Sequence, residues 1–195
     1  VTSENSIMQS LPTTLVIGGS AGSLDVLLQL IPQLEPGCRL AIIIVLHRKS
    51  DYDTLLTDLL AARSVLPVKE AEEKDLLVAG TVYVAPADYH LLIEPDGTLT
   101  LDFSEKVHYS RPSIDVTFLS AAEVFGPKLA CLLLSGANSD GAEGMATAKT
   151  MGATVAVQDP ASAEVSYMPK AALAATTVDR VLRMQEMSDW VRSLY

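Results

Sequence analysis

Three short turns carry the side chains best suited to chemistry. The first is Gly18-Gly19-Ser20-Ala21-Gly22, the second Leu46-His47-Arg48-Lys49, and the third runs from Ser135 through Gly136, Ala137, Asn138 and Ser139 to Asp140 and Gly141. Gly18, Ser20 and Gly22 fit G-x-S-x-G, a turn that thrusts a serine hydroxyl out between a strand and a helix. Amides at the start of that helix can hold an oxyanion. A neutral His47 beside Ser20 would take the hydroxyl proton and return it to a leaving group. Asp140 would hold the imidazole tautomer and stabilise the imidazolium. Together these residue types point to nucleophilic acyl transfer.

Each residue also has a plainer reading. Ser20 or Ser23 can cap a helix after a tight glycine turn. A phosphate-binding turn is disfavoured, because Gly18, Gly19 and Gly22 lack G-x-G-x-x-G spacing and the next strand ends in His47 rather than an acid. His47 can be a satisfied core imidazole, and Asp140 an N-cap. Asp159 leaves another strand and is the rival carboxylate, without a comparable glycine frame. His90 and His108 lie near a hairpin, where exposed or structural roles are expected. The order Ser20, His47, Asp140 does not fit the α/β-hydrolases, whose histidine comes last.

The elements that must position these turns are legible in the apolar pattern. Residues 14–17 are a short β-branched run, and Leu24, Leu27, Leu28, Ile31 and Leu34 then recur at helical spacing up to Pro36-Gly37. Residues 40–46 and 129–134 are almost wholly apolar, as strands buried on both faces are. A second helix is expected through Ala62, capped by Asp53 or Thr54. Residues 81–84 alternate as a strand, and Asp96-Gly97 between residues 91–94 and 98–102 signals a hairpin. Further helices are expected over 112–125, 140–151, 169–175 and 184–194, with a strand over 154–157. The fold class is therefore α/β: three-layered and Rossmann-like, with a mainly parallel, doubly wound sheet and an inserted antiparallel hairpin. One domain over residues 13–195 follows a loose tail over 1–12.

Composition narrows the partners. The chain has 195 residues, 49% hydrophobic and 19% charged, which excludes a disordered chain. A net charge of −10, with Arg48-Lys49 the only adjacent basic pair, argues against nucleic acid and anionic membrane surfaces. The longest apolar run falls far short of the ~20 residues of a membrane span, and residues 1–10 lack the pattern of a signal peptide. Cys38 and Cys131 with three histidines make no zinc spacing. A cytoplasmic location fits these features.

In blocks along nearly the whole chain after the tail, the sequence resembles the catalytic domain of CheB-type chemotaxis protein-glutamate methylesterases. The blocks are residues 14–23, 43–48, 110–122, 132–144 and 156–175. The most specific pieces are Arg111-Pro112-Ser113-Ile114-Asp115 and Ser139-Asp140-Gly141-Ala142-Glu143-Gly144. The resemblance implies hydrolysis of glutamyl γ-methyl esters on the cytoplasmic helices of methylated chemoreceptors, releasing methanol, with deamidation of receptor glutamines a further activity of members. It implies Ser20 as nucleophile, His47 as base, Asp140 as orienting carboxylate, and Ala21 and Ala137 as backbone oxyanion donors. Arg111 and Ser113 become substrate-side residues, with capping of the following helix as their plain alternative. No cofactor or metal is implied, and other chemotaxis-type signalling proteins are possible partners. The phosphorylatable receiver domain of the best-known members has no counterpart in this pattern. Three positions depart from the family: Ser23 and Ala137 stand where glycine and methionine are usual, and Arg48-Lys49 replaces a Met-Pro-like pair. The same triad could serve another ester, and the same fold a non-catalytic binding module.

Overall fold

The computed structural model describes Leu11, residues 13–48 and residues 53–195. Seven parallel strands form one sheet in the order β3-β4-β2-β1-β7-β8-β9. In chain order these are β1 (Thr14–Gly19), β2 (Ala41–Leu46), β3 (Val68–Glu70), β4 (Thr81–Val84), β7 (Leu129–Leu133), β8 (Thr154–Gln158) and β9 (Arg180–Leu182). The hairpin strands β5 (His90–Ile93) and β6 (Leu99–Asp102) pair antiparallel as a separate two-stranded sheet. The helices are α1 (Ser23–Leu30), α2 (Asp53–Ala61), α3 (Ile114–Phe125), α4 (Ala142–Thr150), α5 (Tyr167–Ala175) and α6 (Met184–Arg192).

The central strands are apolar throughout because helices cover both sheet faces. Leu15, Ile17, Ile42, Ile44 and Leu132 face one layer, with Leu27 and Leu30 of α1, Leu56 and Leu60 of α2, and Trp190 of α6. Val16, Ile43, Val45, Cys131 and Leu133 face the other, with Ile114 and Phe118 of α3, Met145 of α4, Met168 of α5 and the hairpin's Leu91 and Leu99. Thus α1 and α4, which follow the adjacent strands β1 and β7, leave the sheet toward opposite faces. This divergence opens a crevice beyond the carboxyl ends of β1 and β7, where doubly wound sheets bind ligands.

Strand register sets what meets in that crevice. Gly19 of β1 pairs with Leu46 of β2, so Ser20 and His47 leave the sheet side by side, joined by the His47 N–H to Gly19 carbonyl bond of 3.2 Å. Gly18 pairs with Leu133, which brings the turn after β7 alongside from the other flank.

Several boundaries differ from the sequence reading. α3 starts at Ile114 rather than Pro112, because Ser113 in extended geometry caps it. α4 starts at Ala142 rather than Asp140, with Gly141 as its N-cap at φ 92°. A Cβ there would meet Ile114 and Leu133 side chains within 2.8 Å, so the position excludes other residues twice over. α5 begins two residues earlier than expected, and α6 ends two residues sooner. Strands β3 and β9 go beyond the sequence reading: both are three-residue edge strands that carry charge, too short to show an apolar signature. The cap assigned to Asp53 or Thr54 falls on side chains outside the description, as do Lys49 and residues 1–10 of the expected tail. Leu11 is buried in the core, and Lys128 donates to its carbonyl at 3.1 Å.

Phe118 is fully buried between α3 and the sheet. Phe118→Ala should cost about 3–5 kcal/mol of stability, read as a fall in the urea midpoint with Trp190 fluorescence as probe.

Candidate active site

Ser20 stands at the end of β1 in a turn clamped to its neighbour. Its N–H donates to the Ser135 carbonyl at 2.9 Å and shares the Ser23 hydroxyl at 3.0 Å. The buried Ser23 hydroxyl in turn donates to the same Ser135 carbonyl at 2.7 Å. Ser23 thus ties the β1 turn to the β7 turn. The Ser135 hydroxyl continues the link, accepting from the Val165 N–H at 2.8 Å and donating to its carbonyl at 3.2 Å. Among the described residues the Ala21 and Ala137 amides donate no hydrogen bond, and both residues are exposed.

His47 Nε2 lies 2.7 Å from Asp140 Oδ2. Asp140 is fully buried and accepts three more hydrogen bonds: from the Ser113 hydroxyl at 2.8 Å, the Ile114 N–H at 2.7 Å and the Asp115 N–H at 2.9 Å. Asp140 therefore does cap a helix, but it is α3, across the crevice, and not its own α4. Burial alone would raise its pKa. The bonds from His47, Asp115 and Ile114, together with the His47 charge, outweigh burial and hold the carboxyl below its usual range. An ionised carboxylate only accepts, so the proton of the His47–Asp140 bond sits on Nε2 and Nδ1 is the basic nitrogen.

Ser20 and His47 share the wall of a pocket of about 270 Å³, whose remaining lining is largely apolar and includes Leu24, Leu46, Leu56 and Leu59. Arg48, beside His47, is drawn into the fold by Glu70 Oε2 at 3.1 Å and the Ala85 carbonyl at 2.9 Å.

The other candidates separate cleanly. Asp159 binds the Ala161 N–H and the Arg183 side chain, and among the described residues no histidine bonds to it. His90 is a satisfied buried imidazole: Nδ1 accepts from the Ser113 N–H at 3.1 Å and Nε2 donates to the Glu105 carbonyl at 2.9 Å. Arg111 donates to the Phe103 and Ser104 carbonyls and lies 3.9 Å from the Phe103 ring centroid, bracing the loop before α3. Ser113 is fully buried against Asp140 and also accepts from the Val116 N–H, so its helix-capping alternative describes its geometry and no surface is left for substrate.

The family model described as CheB methylesterase matches residues 15–191. The chain belongs to the CheB methylesterase family. The crystal structure of the Thermotoga maritima CheB methylesterase catalytic domain superposes with a TM-score of 0.91, at 32% identity, covering 95% of this chain and all of that one. A Leptospira interrogans protein, provisionally named a protein-glutamate methylesterase/protein-glutamine glutaminase, is 43% identical over 90% of this chain and 91% of its own length. A Carboxydothermus hydrogenoformans protein with the same double name is 41% identical over 90% of this chain, which spans only 53% of that relative.

Two residues beside these turns are not legible as such in the sequence. Ser23 reads there as a cap or a departure from the family pattern, and its place straight after the glycine turn is the available signal. Asp115 reads as part of a motif, yet it is 3% exposed, accepts from the Gly144 N–H at 2.6 Å and lies 3.2 Å from His108 Nε2. Burial, opposed by the Gly144 bond and reinforced by the Asp140 charge, pushes its carboxyl up to about 6. Its native pKa exceeds the ordinary value, so it makes stability fall as pH rises from about 4 to about 6. Asp140 has the opposite sign. Its depressed native pKa adds stability that is present above about pH 4 and is lost as pH falls through the native value. The stability difference between the natural chain and Asp140→Asn should therefore shrink below about pH 4 in urea titrations at pH 7 to 2.5.

Proposed function

We propose that this chain is a serine hydrolase that removes methyl groups from glutamyl γ-methyl esters of proteins, and that its substrates are the cytoplasmic helices of methylated chemoreceptors. The observation that carries the reading is the 2.7 Å bond from His47 to an Asp140 locked in place by the first turn of α3, with Ser20 set beside His47 by strand register. Membership of the CheB methylesterase family and the names of its relatives support the choice of ester.

In the proposed reaction the Ser20 hydroxyl oxygen attacks the ester carbonyl while His47 Nδ1 takes its proton. The carbonyl oxygen becomes an oxyanion, held by the Ala21 and Ala137 amides. Collapse breaks the bond to the methoxy group, which receives the proton from His47 and leaves as methanol. Water, deprotonated by His47, then attacks the acyl-serine, releases the free glutamyl carboxylate and restores Ser20. Throughout, Asp140 keeps the imidazole in one tautomer and stabilises its cation. A glutamine side chain can follow the same path with ammonia as leaving group, which is the deamidation in the relatives' double name. Among the described residues no helix is long and apolar enough to cross a membrane, and a cytoplasmic site of action accords with the proposed substrate.

The test is methanol release from methylated chemoreceptor membranes. Ser20→Ala should lower the rate by at least about three orders of magnitude. Undiminished release by that variant would remove the serine mechanism, and no release by the natural chain would remove the proposed substrate.

A further inference from the structure

Behind His47 and Asp140 lies a second buried carboxyl that the reaction above does not use. Asp115 sits on the first turn of α3, with one oxygen held by the Gly144 N–H at 2.6 Å. Its other oxygen, Oδ2, accepts no hydrogen bond among the described residues: His108 Nε2 is within 3.2 Å but out of alignment for one. One polar atom each of His108, Asp115 and Asp140 falls within 4.8 Å of the other two. The contact with α4 is tight, since a Cβ at Gly144 would come within 2.9 Å of the Asp115 carbonyl. A divalent cation is a poor occupant of this cluster. A carboxylate offers about four lone-pair directions, and in Asp140 all are filled by His47, Ser113, Ile114 and Asp115 donors.

Those four donors create a problem for catalysis. Three come from the N-terminal end of α3, where the helix dipole is positive, and each draws charge from Asp140. Each of these donors shares with His47 the charge that Asp140 offers. A second negative charge on the far side of Asp140 offsets this.

We propose that Asp115 is a positioning residue of the hydrolytic site, whose buried carboxylate backs Asp140 and thereby raises the basicity of His47. The inference rests on the Ser20, His47 and Asp140 reading. The groups facing Asp115 are few. His108 approaches from the loop before α3 and Asp140 from the turn before α4, with His47 beyond it. His90 is taken up by the Ser113 amide and the Glu105 carbonyl, Arg111 is turned to the Phe103 and Ser104 carbonyls, and Glu143 on α4 is exposed. Burial sets the ionisation of Asp115 at about 6, so the second charge arrives as pH rises through that value. His108, when charged, favours that ionisation.

The experiment is the pH profile of methyl-ester hydrolysis for the natural chain, Asp115→Asn, His108→Ala and the double variant, with Ser20→Ala as control. Asparagine keeps the acceptor for Gly144 and removes the charge. The expected Asp115→Asn profile has its acid limb moved down by half to one pH unit and its plateau kcat lowered about three- to tenfold, with KM unchanged. His108→Ala, at a half-exposed position, should move the acid limb up and keep the plateau. In the Asp115→Asn background it should move nothing. An Asp115→Asn profile that superimposes on the natural one overturns the inference, and so does a His108→Ala shift that persists without Asp115. If Asp115→Asn fails to fold, Asp115→Ser, which also removes the charge, takes its place in both comparisons and the same outcomes decide. Hydrolysis that survives Ser20→Ala overturns the parent reading instead.

Discussion

The Asp140 carboxylate at the N-terminus of α3 is the interaction on which the site depends. It satisfies two of the orphan amides that begin that helix and receives the Ser113 hydroxyl and His47. A buried carboxylate without such donors would shed its charge. Here the helix end supplies them, so the group stays ionised beside His47. The same contact anchors α3, which covers one face of the sheet and supports the β5–β6 hairpin through the Thr117 and Ser120 hydroxyls. The geometry of the His47–Asp140 pair and the packing of that layer are therefore one arrangement.

Close approach makes the arrangement possible. Gly18 lies against Ile114, so β1 and the start of α3 come together directly behind Ser20. Gly141 turns the chain sharply after Asp140, and Gly136 makes room for Met168. Ser23 and Ser135 then join the β1 and β7 turns with short hydrogen bonds. The Ala21 and Ala137 amides belong to those two joined turns.

Much of this was legible in the sequence because it follows from patterns a buried parallel sheet imposes. The apolar runs over residues 40–46 and 129–134 suit strands covered on both faces, and a strand's end is where a βα turn places its polar residues. That logic brings Ser20, His47 and Asp140 to one edge. It does not reveal contacts made across the crevice. Asp140 looks like the cap of its own helix, since local sequence says nothing of α3 arriving from elsewhere. Ser113 and Asp115 read as the start of a helix, and only tertiary packing shows that both gather around Asp140. Strands β3 and β9 escaped because an edge strand of three residues can be charged or half-exposed and leaves no period to detect.

The central claim is that His47 is held by Asp140 with its proton on Nε2 and Nδ1 left basic. Nitrogen and proton NMR of the His47 ring at neutral pH tests it most directly. The expected result is a downfield proton on Nε2 that disappears in Asp140→Ala, with Nδ1 unprotonated. A ring protonated on Nδ1, or an Nε2 signal indifferent to the loss of Asp140, would contradict it.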